Sequence, residues 1–119
     1  MRPLIVSCNI SLDGFMAGPE GDLASLRFIV PDEDQEDDLA DRFRSTVDTI
    51  VIGRQTFLDM EAHWTKVESP MADWINATPK VVLTSTADLD VSIWPGTTLA
   101  TGDGAEQVRK LKESGGVLW

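Results

Sequence analysis

The segment TIVIGRQTF, residues Thr49 to Phe57, is the most informative part of this 119-residue chain for its fold. Its first four residues are rich in β-branched side chains and predict a buried strand. Gly53 ends the apolar run, and the residues after it predict the start of a helix. The unpaired N–H groups of a helix N-terminus attract anions, and Arg54 would add a positive charge there. Two interpretations stay open: a phosphate-binding turn, or a plain strand, turn and helix with a surface arginine.

The amino-acid composition excludes several classes of protein. A hydrophobic content of 42% is ordinary for one globular domain of this length. Twenty acidic residues against ten basic ones give a net charge of −10, which argues against a nucleic-acid partner. No apolar run approaches membrane-spanning length, so we expect no membrane association. The single Cys8 lies in an apolar run, which predicts a buried thiol and a cytoplasmic protein.

Apolar runs alternate with amphipathic segments along the chain. Pro3 to Ile10 is apolar on both faces and predicts a central, covered strand. Further strands and helices are predicted, in chain order, as a helix from Asp32 to about Ser45, a strand over Val47 to Ile52, a helix from about Arg54 to Ala62, a short helix capped by Ser69 and ending near Asn76, strands over Lys80 to Leu83 and Thr97 to Thr101, a helix capped by Asp103, and a last strand from Val117. This alternation predicts a three-layer αβα fold of the α/β class with a mainly parallel central sheet.

Two loops are candidate ligand-binding segments. The loop from Ser11 to Asp22 is bounded by turn residues but contains Leu12, Phe15 and Met16, which predicts either a lid over a ligand or a loop pinned to the core. Thr84 to Thr86 follows a strand, where the hydroxyl groups would lie on the edge at which open α/β sheets bind ligands. The same three residues are also ordinary turn residues.

A metal site is not predicted. Seven acidic residues between Asp32 and Asp41 lack the ligand order and central glycine of a calcium-binding loop, so a solvated acidic helix face is expected. His63 has no second histidine or cysteine cluster near it in sequence. Walker A and Gly-x-Gly-x-x-Gly motifs are also absent from the sequence.

Three motifs together resemble one family. They are Ser11 to Ala17 (SLDGFMA), Asp48 to Phe57 (DTIVIGRQTF) and Thr78 to Thr86 (TPKVVLTST). In this order and spacing they are similar to the dihydrofolate reductase-like superfamily, and most similar to the C-terminal reductase domain of bacterial riboflavin-biosynthesis deaminase-reductases. Each motif is short, but the resemblance extends over nearly the whole chain.

The resemblance implies a cofactor, NADPH, and a set of site residues. It places Gly53, Arg54, Gln55 and Thr56 against the cofactor phosphates. It places Leu83, Thr84, Ser85 and Thr86 beside the adenosine ribose and its 2′-phosphate, which favours NADPH over NADH. Asn9 and Met16 would reach the nicotinamide, and Asp13 would lie near the substrate.

The implied activity is hydride transfer from NADPH to a small heterocyclic, carbonyl or imine substrate. The alternative is a nucleotide-binding or assembly module of the same fold without turnover. Asp13 is either the proton donor or only a turn-shaping residue, so the catalytic acid stays unassigned, and a homodimer stays open. Because family members continue beyond the last strand into a glycine-rich turn, we expect this chain to be the N-terminal portion of a dihydrofolate reductase-like domain, with its sheet incomplete at the C-terminus.

Overall fold

The computed structural model describes residues 1–8, 10–19, 21 and 38–119. Within this part of the chain, helices and strands alternate as the sequence predicts. The elements are α1 (Asp38–Thr46), β1 (Val47–Gly53), α2 (Arg54–Trp64), α3 (Pro70–Ala77), β2 (Lys80–Thr84), a 3₁₀ turn (Val91–Ile93), β3 (Thr97–Thr101), α4 (Gly104–Leu111) and β4 (Val117–Leu118).

The four strands form one parallel sheet in the order β3-β2-β1-β4. β1 lies between β2 and β4, with Gly53 opposite Leu83 at the carboxyl end of the pair. β2 in turn pairs with β3 along its whole length, from Lys80 opposite Thr97 to Thr84 opposite Thr101. The predicted α/β class and the parallel central sheet are therefore confirmed.

Helices cover both faces of the sheet. On one face Phe57 of α2, Ile75 of α3 and Trp94 pack with Val82 of β2 in the main hydrophobic core. The next residue, Leu83, points to the opposite face, because successive side chains alternate along a strand. There its Cδ1 lies 3.8 Å from the position that a Cβ on Gly104, the first residue of α4, would take. The arrangement has three layers, as predicted.

Local signals set the helix boundaries. The Ser69 hydroxyl accepts a 3.1 Å hydrogen bond from the backbone N–H of Ala72, and the Asp103 carboxylate accepts one of 2.9 Å from Glu106. Both caps were predicted from the sequence, and both leave one fewer unpaired N–H at a helix start. The predicted cap at Asp32 and the helix before Asp38 fall outside the described residues.

The N-terminal segment differs from its prediction. The described residues of Pro3 to Ile10 do not form the predicted central strand: Leu4 makes an isolated parallel bridge to Leu118, and two backbone hydrogen bonds of 2.9 and 3.0 Å join the segment to β4. Because β4 has only two residues, it offers a short edge for pairing. Val6 is 84% exposed, and the thiol of Cys8, predicted to be buried, is exposed as well.

Arg2 fastens the N-terminal segment to the start of β1. Its guanidinium side chain is 7% exposed and forms an ion pair with Asp48. It also donates a 2.7 Å hydrogen bond to the carbonyl of Ser114, in the turn that leads into β4. A side chain at Gly115 would collide with this arrangement, since its Cβ would overlap the Arg2 guanidinium and the φ of Gly115 is +107°. Among the described residues, no helix is long and apolar enough to cross a membrane.

A buried lysine joins α3 to the start of β2. Lys80 is 1% exposed, and its Nζ donates hydrogen bonds of 2.7 Å to the carbonyl of Thr78 and 3.3 Å to that of Asn76. These carbonyls lie at the C-terminal end of α3, where a positive charge is favourable. The Nζ also lies 4.4 Å from the ring centroid of Trp94. Burial lowers the pKa of Lys80 from 10.5 to about 8.

This burial predicts a pH dependence of stability. Between pH 8 and pH 10.5 the unfolded chain holds the Lys80 proton while the folded protein has lost it, so the free energy of unfolding rises with pH across this window. We expect a rise on the order of 3 kcal/mol. Urea unfolding measured from pH 7.5 to pH 11 will show it. In Lys80→Met, which keeps most of the side-chain volume, the rise disappears; an equal rise in both proteins would contradict the assignment.

Candidate functional site

The pairing of β1 with β2 brings two sequence-predicted segments to one edge of the sheet. Gly53, the last residue of β1, lies opposite Leu83, next to the last residue of β2. α2 starts immediately after Gly53, and the hydroxyl-bearing residues Thr84 to Thr86 follow Leu83. The carboxyl edge of a parallel sheet is where ligands bind in open α/β folds. This edge is the candidate site.

The N-terminus of α2 is open at this edge. Gly53 caps the helix with φ −83° and ψ 169°, and its first turn has neither a side-chain cap nor an acidic residue. A Cβ placed on Gly53 would meet no described atom within 4 Å. The first turn of this 11-residue helix therefore has no side-chain cap to pair its N–H groups, which suits an anion.

Arg54 bridges from α2 to the segment after β2. Its Nη1 donates a hydrogen bond of 3.3 Å to the hydroxyl of Thr86 and one of 2.5 Å to the carboxylate of Asp88, and its Nη2 lies 3.5 Å from the second oxygen of Asp88. The Thr86 hydroxyl donates to the same carboxylate. The structure thus brings together Arg54 and Thr86, which the sequence assigned to phosphate binding from separate motifs.

Asp88 is a site residue that the sequence reasoning missed. A signal was available: an acid two residues after a hydroxyl run, on the same sheet edge as the predicted arginine. Hydrogen bonds from Arg54 and Thr86, with the charge of Arg54 adding to them, lower the pKa of Asp88 from 3.8 to about 2. At neutral pH the carboxylate is ionised and neutralises the guanidinium.

The other predicted phosphate residues differ in their surroundings. The Gln55 amide donates a 3.0 Å hydrogen bond to Asp59, along the helix, while Thr56 is exposed. The Thr84 hydroxyl accepts a 3.3 Å hydrogen bond from the backbone N–H of Thr86, which shapes the turn after β2, and Ser85 is exposed. Their roles toward a cofactor stay predictions.

An apolar cleft opens beside this edge. It measures about 350 Å³ and lies between the N-terminal segment and β1, where β4 ends. β1 has β2 on one side and β4, the last strand of the chain, on the other, so the strand order reverses here; such a switch point is the usual ligand site of open α/β sheets. The residues that line the cleft include Ile5, Val51, Thr56, Met60, Leu83 and Trp119.

The loop that starts at Ser11 forms a tight turn. The Ser11 hydroxyl donates to the carboxylate of Asp13 and accepts a 2.9 Å hydrogen bond from the backbone N–H of Phe15, while Gly14 has φ +90°. Leu12 is fully exposed, and Phe15 and Met16 are 62% and 59% exposed, so these three side chains do not pin the loop to the core. A role as a lid, and the nicotinamide role of Met16, stay predictions; Asn9 lies outside the described residues.

The ion pair predicts a measurable carboxyl titration. In Arg54→Ala the pKa of Asp88 should rise from about 2 toward 3.8, because the main hydrogen bond and the charge that favour the carboxylate are gone. Carbon-detected NMR of the side-chain carboxyl groups between pH 1.5 and pH 6 measures this. Asp90 is the internal control, since its pKa is lowered by hydrogen bonds from Ser92 and should not move. An unchanged Asp88 titration would show that the pair does not form.

Two comparisons place the chain among known proteins. The solved structure of the Putative riboflavin biosynthesis protein from Shewanella sp. PV-4 superposes with a TM-score of 0.68 at 26% sequence identity. The match covers 99% of this chain and 63% of that chain, so this chain spans less than two thirds of its length. No curated protein matches.

The second comparison is with protein families. The family model described as the RibD C-terminal domain matches residues 2–118, almost the whole chain. The match includes the strand, turn and helix start at Gly53 and the hydroxyl segment after β2, and it confirms the resemblance found in the sequence motifs. The chain belongs to the RibD C-terminal domain family.

Proposed function

We propose that the protein is an NADPH-dependent reductase that transfers hydride to a small heterocyclic, carbonyl or imine substrate. One observation carries the proposal: Arg54 and Thr86, from two strand ends, meet at the open N-terminus of α2. Family membership supports a reductase role, and the Shewanella relative's name points to riboflavin biosynthesis as the first pathway in which to seek substrates.

The donors at this edge suit phosphate groups. The guanidinium of Arg54 can bond two phosphate oxygens at once, and the uncapped N–H groups of the first turn of α2 are further anion donors. Hydroxyl donors from Thr84 and Thr86 add neutral hydrogen bonds. Such local donors are needed because the chain as a whole carries a net charge of −10 and repels anions at long range.

The apolar cleft suits the reacting end of the cofactor and its substrate. Hydride transfer is the chemistry that NADPH supplies when bound, and the protein's part is to align the two partners and exclude water. The walls of the cleft, which would exclude water, include Val51, Met60 and Trp119. The reaction also needs a proton at the substrate. Since Asp13 is exposed and bonded to Ser11, its contacts favour the turn-shaping role.

A turnover assay tests the proposal. NADPH oxidation followed at 340 nm with a panel of pterins, pyrimidines and flavin precursors should reveal at least one substrate that is reduced. Binding of NADPH without turnover across the panel would favour the alternative, a nucleotide-binding module. Absence of NADPH binding at millimolar concentration would contradict both functions.

The 2′-phosphate assignment predicts a preference between dinucleotides. We expect NADPH to raise the melting temperature of the protein more than NADH at the same concentration, because only NADPH carries the 2′-phosphate that Thr84 to Thr86 would hold. Differential scanning fluorimetry over a concentration series of each dinucleotide measures the shift. Equal shifts would contradict the assignment of Thr84 to Thr86.

Arg54 is expected to contribute to the affinity for NADPH. We expect Arg54→Ala to weaken NADPH binding about ten-fold or more, the scale of one lost charge-assisted contact. Isothermal titration calorimetry measures the dissociation constant. Arg109→Ala is the matched control, since it removes the same charge from the exposed last turn of α4, toward the opposite edge of the sheet. A dissociation constant that is equal in Arg54→Ala and the wild type would leave Arg54 as a surface residue.

A further inference from the structure

The side chains of Arg54 and Thr86, proposed above to bind phosphate, already contact the carboxylate of Asp88. Asp88 takes the Nη1 of Arg54 at 2.5 Å and approaches its Nη2 at 3.5 Å, and it also accepts the Thr86 hydroxyl hydrogen. One carboxylate therefore contacts both terminal nitrogens of Arg54 and the hydroxyl of Thr86. A carboxylate resembles part of a phosphate monoester: both present negatively charged oxygens to a guanidinium, often in a two-point contact.

The ion pair between Arg54 and Asp88 is exposed enough for another anion to replace the Asp88 carboxylate. Asp88 is 66% exposed and Arg54 42% exposed at their side chains. Ion pairs at such exposure contribute little to stability, because water and salt compete for both partners. Asp88 follows β2 in the segment between Thr86 and the 3₁₀ turn, and the cap of that turn is made by Asp90 instead. Asp88 is therefore not needed to cap the 3₁₀ turn that follows it.

We propose that Asp88 is a selectivity residue that competes with phosphate: its carboxylate holds Arg54 and Thr86 in the free protein, and a phosphate monoester binds there only by displacing it. The inference rests on the proposed phosphate site at this edge. Its consequence is that anion affinity is set by an internal competitor, so weakly charged anions fail to displace Asp88 while a dianionic phosphate monoester succeeds.

Asp88→Asn tests the competition directly. Asparagine keeps the shape and can still accept a hydrogen bond from Thr86, but it removes the charge that holds Arg54. Binding of adenosine 2′-monophosphate and of adenosine is measured by calorimetry in the wild type and in Asp88→Asn. Glu113→Gln is the matched control: it removes one negative charge from an exposed residue just after α4, toward the opposite edge of the sheet, and so reports the effect of net charge alone.

We expect Asp88→Asn to bind adenosine 2′-monophosphate about ten-fold more tightly than the wild type, the scale of one charge-assisted contact released to the ligand. Glu113→Gln should bind as the wild type does, and adenosine binding should not change. Equal affinity of Asp88→Asn and the wild type for adenosine 2′-monophosphate, including no binding by either, overturns the inference. Weaker adenosine binding by Asp88→Asn also overturns it, because Asp88 would then be a ligand of the ribose hydroxyl groups.

These outcomes are separable from those of the reductase proposal. Tighter binding of the monophosphate by Asp88→Asn, with no NADPH oxidation on any substrate, leaves the competition standing and removes the reductase function. If the wild type oxidises NADPH while Asp88→Asn binds adenosine 2′-monophosphate no more tightly than the wild type, the reductase function stands and the competition is overturned.

Discussion

The parallel register of β1 against β2 is the constraint on which the candidate site depends. It sets Gly53 opposite Leu83, and so fixes where α2 starts relative to the segment after β2. A slip of one residue would turn every side chain of one strand to the other face, which the core prevents by burying Ile50 and Val82 almost completely. Packing of the core thus positions Arg54 within reach of Thr86, although neither residue takes part in that packing.

The charge at the start of α2, on the carboxyl edge of β1 and β2, differs in sign from the net charge of the chain. The chain carries ten more acidic than basic side chains, yet the first turn of α2 has no acid and begins with an arginine. The carboxylate of Asp88 pairs with that arginine and also accepts a hydrogen bond from Thr86. A site of this kind does not attract anions from a distance. It discriminates among them by whether they can replace a carboxylate.

Sequence reasoning succeeded where the deciding interactions are local. The β-branched run of β1, the glycine at its end and the caps Ser69 and Asp103 all act within a few residues, so their patterns were sufficient. It failed for Pro3 to Ile10, since the placement of an apolar run depends on its partner strand, and β4 lies more than one hundred residues away. The exposed Cys8 follows from the same error. The contact of Arg54 with Asp88 spans 34 residues and depends on the β1–β2 register, which composition and spacing do not specify.

An NMR titration of the isotopically labelled protein with NADP⁺ tests most directly whether the carboxyl edge between β1 and β2 is a phosphate site. We expect the largest backbone amide shifts at Gly53 to Thr56 and at Thr84 to Asp88, and we expect NAD⁺ to leave the second group nearly unchanged. Shifts that are absent from both segments while others appear elsewhere, or an equal response to the two dinucleotides, would contradict the assignment of a phosphate site to this edge.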